Sequence, residues 1–155
     1  MIMITDDIRQ RLNEAAIEVF GTMYFTPVEL LPKVPPENQW HLQERYIKAV
    51  ISYTGPQEAQ LELYFPATLG SNISAGFLGV ELDNLSEGQI VDTMREAANM
   101  IVGSLLGKLD PLGECKLGIP TAEMVKDYSP SKNTPEGSTT LAFISDFGLM
   151  WIFFK

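Results

Sequence analysis

Residues 86–106 read SEGQIVDTMREAANMIVGSLL, and the periodicity of this stretch decides the kind of chain to which it belongs. Ile90, Met94, Ala97, Ile101 and Leu105 recur on one side of a helix turning about 100° per residue. They form the stripe that faces a core. Ser86, with Gln89 three residues later, is a capping box that starts the helix. Asp92, Glu96, Asn99 and Gly103, at spacings of 4, 7 and 11 from the first, fall in a narrow sector on the other side. Glu96 and Asn99 are i, i+3 neighbours whose polar tips can address one target. Glycine in a helix costs about 0.5–1 kcal/mol relative to alanine, so Gly103 marks a point where another surface can approach the backbone. Two readings follow: a docking and chemistry face, or an ordinary solvated helix surface.

Shifted by 82 residues, the same pattern appears earlier in the chain. Ile8, Leu12, Ala15, Val19 and Met23 fall on the five core positions, Glu14-Ala15-Ala16 on Glu96-Ala97-Ala98, and Gly21 on Gly103. An apolar stripe alone would match any two amphipathic helices, but the off-stripe Glu and Gly argue for an internal duplication. The match fails at two informative places: Gln10 falls on Asp92 and Ile17 on Asn99.

Strand-like segments follow each helix, from Glu44 to Tyr53 and Gln60 to Phe65 in the first half. In the second they run from Cys115 to Ile119, Ser138 to Ser145 and Leu149 to Phe154. Thr54-Gly55-Pro56-Gln57 and Asp146-Phe147-Gly148 are the turns. Leu61, Leu63 and Phe65 alternate with Gln60, Glu62 and Tyr64, the pattern of a strand buried on one face. Pro27, Pro32, Pro35 and Pro36 mark an irregular crossing, Ser129 to Gly137 a polar loop, and Ser71 to Gly79 a short helix. The expected fold is a single α+β domain over residues 1–155. It is a two-layer sandwich with helices on one face of a largely antiparallel sheet and pseudo-repeats at roughly 6–66 and 86–155. The last strand is apolar on both faces, so it is either central or covered by a partner chain.

The 155 residues suffice for one core without disulfides or metals. A net charge of −9 argues against nucleic acid and anionic membrane surfaces as partners. The first seven residues lack the basic flank of a signal peptide, and no apolar run approaches membrane-span length. The expected location is the cytoplasm. There is no phosphate-cradling loop. Cys115 is the sole cysteine and has Thr121, not arginine, six residues on; it reads as a small buried hydrophobe. His41 is the sole histidine, which removes His-rich metal sites and paired-histidine catalysis. No metal or cofactor site is expected in this chain.

What remains is a carboxylate and a carboxamide on one helix face. They suffice for hydrolysis of a phosphoryl group whose metal and leaving group sit on another protein. In-line attack then needs an oriented water and correct docking. Asp92-x-x-x-Glu96-x-x-Asn99, followed by Pro120 after a strand, resembles the signature of the CheC/CheX/FliY chemotaxis phosphatases, and the whole pattern is most similar to the CheX-like branch. Phe65-Pro66, Phe77-Leu78-Gly79 and Leu117-Gly118-Ile119-Pro120 extend the likeness over nearly the whole chain. The resemblance implies a six-stranded antiparallel sheet, a homodimer, and hydrolysis of the aspartyl phosphate on a CheY-type response regulator. By that pattern Glu96 would engage the regulator's lysine and Asn99 would orient the water. Asp92, Gly103 and Pro120 would line the docking face, and Mg2+ would belong to the regulator. The 20 residues between Asn99 and Pro120 are slightly fewer than the family pattern has. With Ile17 in place of a second carboxamide, one site is expected rather than two. The alternative is a module of the same fold that binds a regulator, or a flagellar or signalling component, without turnover.

Overall fold

The computed structural model describes residues 5–36, 45–126 and 136–155. His41 with its neighbour Trp40, Glu44, most of the 129–137 loop and the first four residues lie outside them. Helix α1 (Asp6–Met23) starts where the Thr5 hydroxyl accepts the Ile8 N–H at 3.1 Å, and Asp6 and Asp7 suit the positive end of its dipole. Strands β1 (Val28–Leu30), β2 (Arg45–Thr54) and β3 (Ala59–Pro66) follow, then α2 (Ala67–Leu78), a 3-10 turn, and α3 (Glu87–Leu109). The chain ends with β4 (Lys116–Leu117), β5 (Thr121–Lys126), β6 (Thr139–Ser145) and β7 (Gly148–Phe154). The capping box at α3 is formed in both directions, at 3.1 and 2.9 Å.

The sheet is antiparallel throughout, in the order β1-β6-β7-β3-β2, with β4 and β5 both pairing β2 at the far edge. β4 and β5 are one edge strand interrupted at Gly118-Ile119-Pro120, so the sheet has the expected six strand positions. Exchanging β1 with β5, β2 with β6 and β3 with β7 reproduces the order, so its two-fold centre lies where Leu63 pairs with Ile152. Each half contributes a hairpin, while its first strand crosses to the other half's hairpin. Val28 pairs with Ser145, and Ala122 with Ala49.

Helices cover one face. Leu12, Ala16 and Phe20 of α1, and Met94, Ala98, Ile101 and Leu105 of α3, pack on Ile47, Leu63, Leu141 and Ile152 of the strands. The other face carries a second cluster of Tyr46, Tyr64, Ala142, Trp151 and Phe153. Tyr64 and Phe153 meet edge-on at 5.5 Å between ring centres. β7 is therefore central and buried on both faces, Met150 and Ile152 toward the helices and Trp151 and Phe153 away from them. Burying side chains of this size contributes about 1.5–3 kcal/mol each.

The structure differs from the sequence reading at several points. β3 is not buried on one face only, since Tyr64 is enclosed by the aromatic cluster. β1 forms inside the proline-rich crossing and β5 follows Pro120, both as edge strands held by long-range pairing. α2 begins at Ala67 rather than Ser71, and Gly79 closes it in the left-handed conformation at φ 68°. Met23 is 41% exposed because α1 ends there and the chain turns away from the core. Cys115 is half-buried, with its thiol 3.6 Å from the Gln57 carbonyl.

The β2–β3 turn depends on Gly55. Its φ is +135°, and a Cβ there would lie 2.9 Å from both the Cys115 Cα and the Glu114 carbonyl oxygen. Gly55→Ala is therefore expected to destabilise the protein by about 1–3 kcal/mol in denaturant unfolding.

Candidate functional site

The burial of α3 fixes which of its residues can meet a partner. Thr93, Met94, Ala97, Ala98, Ile101, Val102, Leu105 and Leu106 are buried, a face broader than the five-residue stripe. That leaves Asp92 and Glu96 exposed and Asn99 and Gly103 half-buried along the opposite side. Eleven residues of helix make this row about 16 Å long. Asp92 forms a surface pair with Arg95 at 2.9 Å, an interaction worth about 0–1 kcal/mol and readily exchanged. Among the described residues, no group of three or more His, Cys, Asp or Glu side chains could hold a metal ion. No helix there is long and apolar enough to cross a membrane.

At the C-terminal end of the row, Gly103 faces the edge strand. A Cβ on Gly103 would sit 3.8 Å from the Leu117 Cδ2, an ordinary contact, so nothing among the described residues demands glycine. Pro120, three residues beyond Leu117, immediately precedes β5 and is half-buried. The preceding Gly118 is tied to the sheet by its N–H to the Ser52 carbonyl at 2.7 Å, while Ile119 is 92% exposed.

Alongside α3 runs α1. Glu18 pairs with Lys108 at 3.4 Å and accepts the Ser104 hydroxyl at 3.5 Å. The counterpart positions of the first half differ in kind: Glu14 accepts the Gln10 side-chain amide at 3.2 Å, Ile17 is 45% exposed, and Gly21 has open space around it.

Two aromatic residues that sequence reasoning missed, Tyr24 and Phe25, lie with Phe77 on the Glu96 side of the row. Tyr24 closes α1, buried, with its ring 6.1 Å from Phe20 and 5.7 Å from Phe77. Its phenol is pushed up to about 12, chiefly by burial and further by the negative charge of Glu96, so the two groups lie within electrostatic reach. Phe77 is half exposed at the end of α2. Phe25 follows Tyr24 with φ 50°, the one non-glycine residue described with positive φ, and its side chain is 88% exposed. An L-residue in that conformation costs about 1–2 kcal/mol. Phe25 is held there by the Thr26 N–H donating to the Phe20 carbonyl, and by the Thr26 hydroxyl donating to the Tyr24 carbonyl, each at 2.9 Å. The signal available in the sequence was the lack of Gly or Asn where α1 must stop.

Two outcomes follow. Gly103→Ala is expected to raise stability by about 0.5–1 kcal/mol, since the methyl fits and helix propensity improves; denaturant midpoints measure it. For Tyr24 the folded value lies above the ordinary 10.0. Its contribution is therefore complete below the unfolded value and is lost as pH rises through the folded one. Tyr53, likewise pushed to about 12 by burial and then by Cys115, acts in the same window. Tyr24→Phe should shrink the fall in unfolding free energy between pH of about 9 and about 11.5; an unchanged slope would contradict a phenol kept protonated by the fold.

The chain matches the model of the family described as chemotaxis phosphatase CheX over residues 47–143. No curated protein matches it significantly. Among solved structures, the chemotaxis protein CheX from Vibrio vulnificus superposes with a TM-score of 0.75 at 19% identity, covering 96% of this chain and 97% of that one. A CheC-like superfamily protein from Shewanella sp. PV-4 gives 0.74 at 20% identity, with 98% and 99% covered. The CheX–CheY–BeF3–Mg2+ complex from Borrelia burgdorferi gives 0.70 at 14% identity, with 97% of each chain covered. These likenesses carry the fold, and the family match spans more than half of the sequence: the chain belongs to the CheX family of chemotaxis phosphatases.

Proposed function

We propose that this protein accelerates hydrolysis of the aspartyl phosphate on a CheY-type response regulator. The observation that carries the reading is the placement of Glu96 and Asn99 side by side on the outward face of α3, in a chain of this family. In the proposed step the Asn99 carboxamide holds a water in line with the acyl phosphate. The water oxygen attacks phosphorus and the bond to the aspartyl oxygen breaks. The products are a free aspartate carboxylate and inorganic phosphate. Glu96 pairs with a lysine of the regulator, a charge-assisted contact that fixes register. Mg2+ is supplied by the regulator. Asp92 exchanges Arg95 for the partner, Gly103 admits its backbone, and Pro120 borders the contact. The first half carries no second site, because Ile17 cannot orient water. A cytoplasmic homodimer belongs to the same reading and is measurable as mass in solution.

The test is the decay of phosphorylated receiver proteins with and without this protein, screened to find the regulator it accelerates most. Asn99→Ala should lower stimulated hydrolysis about 10²-fold or more while leaving binding nearly intact. Glu96→Ala should weaken both, and Glu14→Ala neither. All three should stay within about 0.5 kcal/mol of wild-type stability. Full activity in the Asn99 variant would overturn the residue assignment. Binding without any acceleration by the wild-type protein would favour the non-catalytic module instead.

A further inference from the structure

We infer that Phe25, supported by Phe77, is an apolar anchor that docks the receiver-domain partner beside Glu96 and thereby sets affinity separately from chemistry. This rests on the proposed function for the identity of the partner. The geometry comes from this chain: α1 lies along α3, tied to it where Glu18 meets Lys108 and Ser104 at 3.4 and 3.5 Å. Phe77 meets Tyr24 at the end of α1 edge-on at 5.7 Å, and Phe25 is the next residue; the charge of Glu96 reaching the Tyr24 phenol agrees with that placement. The aromatic group therefore adjoins the polar row on its Glu96 side. Its apolar surface is unusually open, with Phe25 88% and Phe77 55% exposed.

The backbone adds a second, independent observation. Phe25 occupies the left-handed region at φ 50°, where glycine or asparagine would be at ease. Neither the strain nor the exposed ring serves the core. The hydrogen bonds that wrap the helix end are made by Thr26 to Phe20 and Tyr24, and the Phe25 side chain takes no part in them. Strain kept in an ordered segment next to a polar site points to use in recognition. An aromatic ring that is buried only on docking is the kind of residue that dominates interface affinity. The occupant that suits it is a receiver surface offering an apolar depression near the lysine that meets Glu96.

Phe25→Asn isolates the ring, because asparagine tolerates the same backbone conformation. The probe is a CheY-type receiver with Mg2+ and beryllofluoride for binding, and the same receiver phosphorylated for turnover, chosen as the one that wild-type protein engages best. The expected result is a Tm no lower than wild type and a Kd raised about tenfold or more. The maximal rate at saturating protein should be kept, so that the loss falls on kcat/KM. Asn99→Ala should show the reverse split. Unchanged Kd in Phe25→Asn overturns the anchor. So does a shift from dimer to monomer on that substitution, which would make Phe25 a contact between copies. Phe25-dependent binding with no acceleration of decay supports the anchor and overturns the phosphatase reading alone; binding of no receiver at all overturns both.

Discussion

Everything about the outward face of α3 depends on how firmly its inward face is held. Met94, Ala97, Ala98, Ile101, Val102 and Leu105 are buried against the sheet and the neighbouring helices. Small residues, Ala97 and Ala98, sit in the middle of the packed side and let the helix lie close to its neighbours. A helix anchored through so many positions cannot rotate without exposing several of them, each costing of the order of 1–3 kcal/mol. The rotation of α3 is thereby fixed, and with it the direction of Glu96 and Asn99. Groups carried on a rigid helix hold their geometry better than groups on a loop.

The sheet beneath α3 gains its rigidity from exchange between the halves. A hairpin from each half would leave two open outer edges. Instead β1 covers the edge of β6, and β4 and β5 cover that of β2. The first strand of each half thus ties its helix to the other half's hairpin. The symmetry of the scaffold has not been matched by symmetry of the surface. Glu14 is occupied by Gln10, and Ile17 stands where the second half has Asn99. A duplicated frame can lose one polar set without cost to folding, because the buried residues are what hold it.

Around the polar row, several features make poor sense for stability alone. Gly103 has room for a methyl group, Ile119 stands almost fully in water, and Phe25 combines a strained backbone with an exposed ring. They lie along the row or beside it, while the core below shows close-packed aliphatic and aromatic contacts. Local departures from what stability favours concentrate where a surface must meet something else.

The sequence by itself determined the helices, their capping and their faces, because these follow from local periodicity: Ser86 with Gln89, the stripe from Ile90 to Leu105, and its copy 82 residues earlier. It also determined the Glu96/Asn99 pair, since i, i+3 spacing on a helix is a neighbour relation wherever the helix is placed. Only the tertiary structure decided that the last strand is central, that Tyr46, Tyr64, Trp151 and Phe153 form a second buried face, and that β1 and β5 exist at all. Three residues such as Val28-Glu29-Leu30 carry no period, and their hydrogen bonds go to partners more than a hundred positions away. The aromatic group of Tyr24, Phe25 and Phe77 was hidden for the same reason. Tyr24 and Phe77 meet only when the ends of two helices converge, and the left-handed turn at Phe25 is held by the Thr26 hydrogen bonds to Phe20 and Tyr24 against its own local preference.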